Sequence, residues 1–374
     1  MIRFAKRDEL VVHEQEPFNA ETDRESLASS VTPVEAFYVR CHGPVPELDP
    51  DVWRLSVDGL ATRQLSLSLE TLQEAFVQRT LTATLQCAGN RREGLIAVRD
   101  IPGEAPWGPG ATGTATWTGV ALADVLALAG PFDTAAHVGF EGADTSAEAE
   151  PAQLFGGSIP LDKAARPEVL LAWAMNGRPL PAVHGAPLRV VVPGYIGARS
   201  VKWLTRIELR SDPWPGYFQH VVYRLLTPEQ TPGPGKGMPL GLVALNSDVL
   251  VPDNGAEIPA GEVEVRGYAF AGGDRHVARV DVSTDSGQSW TEAELFDDLG
   301  RWAWRHWSMM LNLAPASTRS WSALGIPRPP PSPRTKRGSG TPRATSTMPV
   351  RASPCAPLPA KTWSQNLEAC RSRW

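Results

Sequence analysis

One stretch of the 374-residue chain sets a nucleophile in a charged neighbourhood: Thr84-Leu85-Gln86-Cys87-Ala88-Gly89-Asn90-Arg91-Arg92. A cysteine that ends a β-like run, enters a Gly-Asn turn and is followed by two arginines has neighbours that favour its thiolate, the form that binds metal or attacks. On this stretch alone Cys87 also fits a small buried apolar residue, because free cysteines are commonly core. Two glycine-rich strings carry less. Gly108-Pro109-Gly110-Ala111-Thr112-Gly113 has G-x-G-x-x-G spacing, but it follows a Pro-rich loop where a dinucleotide site needs a buried strand. Gly235-Lys236 has Gln at 230 and Gly at 237 where a phosphate loop needs Gly and Ser or Thr, so it reads as linker.

The four cysteines, Cys41, Cys87, Cys355 and Cys370, show no C-x-x-C spacing, so neither a disulfide framework nor a structural zinc site is expected. This usage fits a reducing compartment. The net charge of -5 argues against a general nucleic-acid partner, which needs a concentrated basic face. That figure sums two unlike parts: residues 315–374 hold ten Lys and Arg against one acidic residue, while residues 1–314 hold 26 basic and 40 acidic ones. The first residues form no apolar leader and no run approaches a membrane span, so the expectation is a cytoplasmic protein with no membrane partner.

The elements that must position Cys87 read as α+β, mainly β. Hydrophobic residues make up 42% of the chain and charged residues 21%, with 33 Gly, 35 Pro and 13 Trp, which favours turns and strands over a helical bundle. Residues 1–35 read as a polar, loop-like N-terminal extension. A mixed α/β catalytic domain is expected over 36–230; in it Val120–Ala129 reads as a helix capped by Thr118, and Leu188–Val192 as a strand. The Pro- and Gly-rich segment Asp212–Leu240 reads as linker. A β-sandwich follows over 231–313, with alternating Val263, Val265 and Ala269, then Ala278, Val280 and Val282, and with Trp302 and Trp304 as core or interface. Residues 314–374 form a Pro/Arg/Ser-rich tail that cannot easily bury a core.

The blocks around Cys87 resemble the sulfite oxidase family of eukaryotic-type molybdopterin oxidoreductases. Leu85–Arg92 is similar to the family's molybdenum-binding motif, and Phe37-Tyr38-Val39-Arg40-Cys41-His42-Gly43-Pro44-Val45-Pro46 to its cofactor-binding F-x-V-R-N-H-x-P-V-P. Phe140–Asp144, Gly157–Leu161, Met175–Pro181, His184–Arg189 and Gly197–Leu204 follow in the family's order, and Val263–Trp307 resembles its immunoglobulin-like dimerisation domain.

The resemblance implies a molybdenum–molybdopterin cofactor with Cys87 as the protein's metal ligand, and no haem or flavin in this chain. It places Tyr38, Val39, Arg40, Cys41, His42, Asp144, His184, Arg189, Ser200, Val201 and Lys202 at the cofactor. It places Arg40, Arg92, Trp107 and Tyr223 around the substrate, where paired guanidinium groups suit a small oxyanion. The implied activity is oxidation of sulfite to sulfate by oxo transfer at a Cys-ligated molybdenum, in a homodimer that passes electrons to a separate acceptor, oxygen or a cytochrome. The alternatives are a nitrate reductase-type molybdenum enzyme and a catalytically dead molybdopterin-binding protein. The chain departs from the family in two places. Cys41 stands where the family has Asn, and the W-N-x-x-G arginine and closing N-A-W-x-R-V strand expected after Leu313 are not found, as if the tail were read out of frame.

Overall fold

The computed structural model describes residues 3–313 apart from 102, 228, 229, 255, 286 and 297, together with the backbone of two short strands at 322–323 and 347–353. The rest of the expected tail lies outside the described residues. The chain divides into two compact units, Met1–Asn246 with Ala269–Val277 and Asp297–His306, and Ser247–Tyr268 with Ala278–Phe296 and Trp307–Trp374.

In chain order the first unit carries β1 (Val11–Glu14), β2 (Asn19–Glu21), α1 (Arg24–Leu27), β3 (Leu55–Gly59), β4 (Leu65–Leu67), α2 (Leu69–Ala75), β5 (Gln78–Gln86), α3 (Arg92–Ile96), β6 (Thr112–Ala121), α4 (Leu122–Ala129), β7 (His137–Ser146) and β8 (Gln153–Pro160). It continues with α5 (Leu161–Ala164), β9 (Leu170–Met175), β10 (Arg178–Pro179), β11 (Arg189–Val191), β12 (Leu204–Arg210), β13 (Arg224–Leu225) and β14 (Met238–Pro239). Two five-stranded sheets dominate: β10-β9-β6-β5, with β11 also on β9, and β4-β3-β12-β7-β8. Only the β3–β12 pairing among these is parallel.

The β5–β6 pair carries the cysteine. Along β5 the residues alternate: Leu81, Ala83 and Leu85 join an apolar cluster with Phe37, Trp107 and Trp117, and Cys87 is next on that face. On the other face Thr80 and Thr82 meet Thr118 and Thr116 with hydroxyl oxygens 3.1 and 3.3 Å apart, and Thr84 meets Thr114. This ladder also corrects a helix boundary. Gln78 pairs with Val120 and Leu170 with Ala121, so strand β6 extends through the expected N-cap Thr118, and the helix starts at Leu122. It ends as expected on Gly130, left-handed at φ 69°.

Residues 3–35 differ from the polar, loop-like reading. Leu10, Phe18 and Ala20 are buried with Val39, Cys41 and Trp203. The β1–β2 hairpin hides few apolar residues between many charged ones, which is why composition does not show it. The expected linker also has a role in the fold: Phe218–Val222 forms a helical turn, and β13 pairs with β14. Trp302 and Trp304, expected in the second domain, belong to the first unit. The Trp302 carbonyl accepts from Thr84 N at 2.9 Å, Trp304 N donates to the Thr84 hydroxyl at 2.8 Å, and Trp304 Nε1 donates to the Ser30 carbonyl at 2.9 Å.

The remaining strands, mostly in the second unit, are β15 (Asn246–Val251), β16 (Gly261–Phe270), β17 (Arg279–Ser283), β18 (Thr291–Glu292), β19 (Glu294–Phe296), β20 (Arg305–Leu313), β21 (Ser322–Ala323) and β22 (Thr347–Ser353). They form two four-stranded sheets, β15-β16-β20-β19 and β18-β17-β22-β21, the last including a parallel β17–β22 pair. Among the described residues no helix is long and apolar enough to cross a membrane.

Candidate active site

Eleven of the fifteen residues singled out from the sequence line one cavity in the first unit. Tyr38, Val39, Arg40 and His42 come from the segment before β3, Cys87 from the end of β5 and Asp144 from β7. His184 and Arg189 flank the start of β11, Ser200 and Lys202 follow the turn Gly197–Arg199, and Tyr223 follows the turn Phe218–Val222. Gly197 lets the wall close in, since a Cβ there would stand 2.7 Å from Tyr38 Oη.

Cys87 is buried, and its Sγ accepts from Gly89 N–H at 3.4 Å. Burial pushes the thiol above its ordinary range, and the Gly89 N–H, Arg40 and Arg92 oppose this without overcoming it. The cationic neighbours expected from the sequence are present, but they do not by themselves hold a thiolate, because desolvation outweighs them.

The other four residues stand around the cavity. Arg92 Nη1 donates to the Ala105 carbonyl at 3.1 Å and pairs with Glu104 at 2.6 Å. Trp107 is buried 4.8 Å from the His13 ring, and both Arg92 and Trp107 crowd Gly89, where a Cβ would meet them within 3.0 Å. Cys41 is buried with its Sγ 3.1 Å from Lys202 Nζ, and the buried Val201 accepts from Val190 N at 2.8 Å. Cys41 N donates to Asn19 Oδ1 at 2.7 Å, so this backbone group is satisfied without the family's Asn side chain.

Buried positive charge defines the rest of the cavity. Arg189 donates to the carbonyls of His184 at 3.0 Å and Ser200 at 2.9 Å, and its guanidinium faces the Trp117 ring at 4.9 Å. Burial brings it down to about 10. Lys202 donates to the Val183 carbonyl at 3.1 Å, and burial lowers it too, opposed by Cys41 and Asp144. Arg40 forms a long pair with Glu148 at 3.4 Å; burial works against its charge, but Tyr223 and Glu148 outweigh it and hold the guanidinium above its usual range. Desolvation keeps His42 and His184 well below the usual imidazole range, so both are neutral. His42 Nε2 is 2.7 Å from Tyr223 Oη and the ring stacks on Phe155 at 4.2 Å. Burial raises Tyr223 and Tyr38, keeping both phenols protonated.

Several residues here were not singled out from the sequence. Arg199, inside the Gly197–Leu204 block, is buried, donates to the Leu240 carbonyl at 2.7 Å and is brought down by burial to about 10, with no partner for Nη1 among the described residues. Lys6, Glu104, Glu148 and Phe155 lie in stretches that carry no local signal. The cavity is therefore rich in cations bonded to neutral acceptors, an arrangement that costs stability unless an anion completes it. Among the described residues that line it, Asp144 Oδ1 is a buried carboxylate oxygen without a hydrogen-bond partner, on a group that burial raises to about 6. Among the described residues no group of three His, Cys, Asp or Glu is placed to hold a metal ion. A phosphate-bearing group with amine donors and its own metal donors fits these features, with Cys87 adding one soft thiolate.

Residues 42–218 match the oxidoreductase molybdopterin binding domain, and residues 242–321 match the Mo-co oxidoreductase dimerisation domain. Fold and site thus define a molybdopterin oxidoreductase. The chain is similar to sulfite oxidase of Gallus gallus, with 45% identity over 313 residues covering 80% of this chain and 67% of that one. It is also similar to mitochondrial sulfite oxidase of Rattus norvegicus, with 44% identity covering 80% of this chain and 56% of that one. The sulfane dehydrogenase SoxCD of Paracoccus pantotrophus is a structural neighbour at TM-score 0.68 and 26% identity, covering 80% of this chain and 74% of that one. The chain belongs to the sulfite oxidase family. It spans between about half and two thirds of the length of these animal relatives.

Proposed function

We propose that this chain oxidises sulfite to sulfate. The observation that carries the reading is the cavity itself, in which one buried thiol, Cys87, sits among cations, two of which, Arg189 and Lys202, hydrogen-bond to carbonyl oxygens. When bound, the molybdenum–molybdopterin group supplies the two-electron oxo-transfer chemistry. Cys87 would give the protein's ligand to the metal. Arg189 and Lys202 would meet the phosphate, with the Ser200 and Val201 segment beside them, and Asp144 Oδ1 would accept from a pterin amine. Cys41, Tyr38, Val39 and His42 complete the cofactor wall on that reading.

Arg40 and Arg92 would orient the oxyanion, exchanging Glu148 and Glu104 for it, with Trp107 walling off water on the Arg92 side. Tyr223, a phenol hydrogen-bonded to neutral His42, would donate to a substrate oxygen. Burial keeps the phenol protonated near neutral pH, and with His42 Nε2–H donating to Oη the hydroxyl proton is left for that bond.

The same reading makes the 231–313 region an immunoglobulin-like dimerisation domain of a cytoplasmic homodimer. It also sends the electrons to a separate acceptor, oxygen or a cytochrome. The division into an extension over 1–35, a catalytic domain over 36–230 and a C-terminal tail from 314 is part of this proposal. Purified full chain should contain molybdenum and reduce ferricyanide when sulfite is added. Bound metal without turnover would identify a dead cofactor-binding protein, and turnover with nitrate instead would redirect the substrate.

A further inference from the structure

Lys6 belongs to the N-terminal stretch, yet its side chain ends at the cavity wall. The residue is 3% exposed. Its Nζ stands 2.6 Å from the Val34 carbonyl oxygen, 2.7 Å from the Phe37 carbonyl oxygen and 2.6 Å from His184 Nε2. An ammonium has three N–H bonds and no lone pair, so these three contacts use all of its donors and every partner must accept. Two are carbonyls and can only accept. The third is a neutral imidazole, whose two nitrogens differ: one carries the proton and the other the lone pair.

His184 is neutral because burial, and then Lys6, Lys202 and Arg189, disfavour its charged form and outweigh the Val34 carbonyl, which favours it. With Nε2 accepting from Lys6, the ring proton sits on Nδ1. No side chain among the described residues is bonded to that nitrogen, the Val34 carbonyl near the ring accepts from Lys6 at 2.6 Å, and His184 lines the cavity. The ring cannot readily turn to exchange its nitrogens, since Phe37 packs edge-on at 5.5 Å and Arg189 Nη1 holds the His184 carbonyl at 3.0 Å.

We infer that Lys6 is a positioning residue: its ammonium fixes the tautomer of His184, so that Nδ1–H is presented to the cavity as a donor for an acceptor atom of the bound molybdopterin. Only the identity of that ligand rests on the proposed function, whereas the tautomer does not. Lys6 is faced by Glu35, Cys41, Lys202 and His184, and burial with Lys202 brings it down to about 7, so the lock belongs to the acid side of neutrality.

The test is a ¹⁵N–¹H spectrum of the histidine side chains of the full chain, made in a host that cannot synthesise molybdopterin and measured at about pH 6, below the range where the lysine loses its proton. There are seven histidines, and His184→Gln identifies the signal of interest. The wild type should show Nδ1 protonated and Nε2 bare, Lys6→Met should move the proton toward Nε2, and Lys6→Arg should restore the wild-type form. A protonated Nε2 in the wild type, or an unchanged tautomer in Lys6→Met, overturns the inference. Should Lys6→Met fail to fold, the wild-type spectrum alone decides. In a host that makes the cofactor, Lys6→Met should retain molybdopterin about tenfold less tightly, the loss of roughly one hydrogen bond. A wild-type protein with the lock intact but no molybdopterin supports the tautomer and overturns the cofactor reading alone.

Discussion

Basic side chains meet two different fates in the first unit. Along the β3–β12 pair, Arg206 grips Asp58 in a forked contact, with Nε at 2.9 and 3.1 Å and Nη2 at 2.9 Å, half in solvent, and Arg210 pairs with Glu208. In and behind the cavity wall, Arg189, Arg199 and Lys6 are buried, and their bonds go to carbonyls and an imidazole. The surface charges are satisfied by carboxylates of the fold, whereas these buried charges have only neutral partners, which costs the folded protein free energy. Buried cations without counterions are thus a more specific mark of a binding site than the abundance of arginine.

Substitutions should separate the two regions. The largest effect is expected at Cys87→Ser, which should abolish molybdenum retention and sulfite turnover while changing the stability of the cofactor-free chain by less than about 1 kcal/mol. Metal analysis with thermal melts checks this, and turnover in the variant would remove Cys87 from the chemistry. Asp144→Asn should behave oppositely to an ordinary core substitution. The folded carboxyl is raised to about 6 against an ordinary 3.8, so the folded state holds a proton that the unfolded chain releases, and stability falls as pH rises across that window. Removing the charge should stabilise the cofactor-free chain at neutral pH by up to about 3 kcal/mol and weaken cofactor binding, measurable by urea unfolding and molybdopterin content.

Lys6→Met should flatten a pH slope. Between about 7 and 10.5 the unfolded chain keeps the lysine proton that the folded chain has lost, so stability rises with pH over that range. The difference between wild type and variant should approach about 1.4 kcal/mol per pH unit within it. The smallest effect belongs to Arg206→Gln, within about 0.5 kcal/mol and without influence on turnover. A large loss there would erase the distinction between the two regions.

Much of the site is legible in the sequence because its residues sit in long ordered blocks: Tyr38–His42, Cys87, His184–Arg189 and Ser200–Lys202 are each read from a local string. The alternation Leu81, Ala83, Leu85, Cys87 even indicates which face the thiol joins. Other contributors are invisible to local reading because they arrive from distant, compositionally plain segments. Lys6 reaches across 178 residues to His184, and Glu104 and Glu148 come from loops. Trp302 and Trp304 sit among second-domain strands in the sequence, but hydrogen bonds to Thr84 and Ser30 put them in the first unit. The thiol's protonation is a balance between desolvation and Arg40 and Arg92, and no string of residue types reveals which side wins.

The threonine pairs along β5 and β6 have a consequence for assembly. A strand shifted by one residue would separate Thr80, Thr82 and Thr84 from their partners and turn Leu81, Ala83 and Leu85 out of the core. It would also swing Cys87 to the opposite side of the sheet. The hydroxyl rungs therefore act as a gauge during folding: a chain that has mispaired this hairpin has no Cys87 thiol at the cavity, so on the proposed function capture of the cofactor reports that the strands have met in the right order.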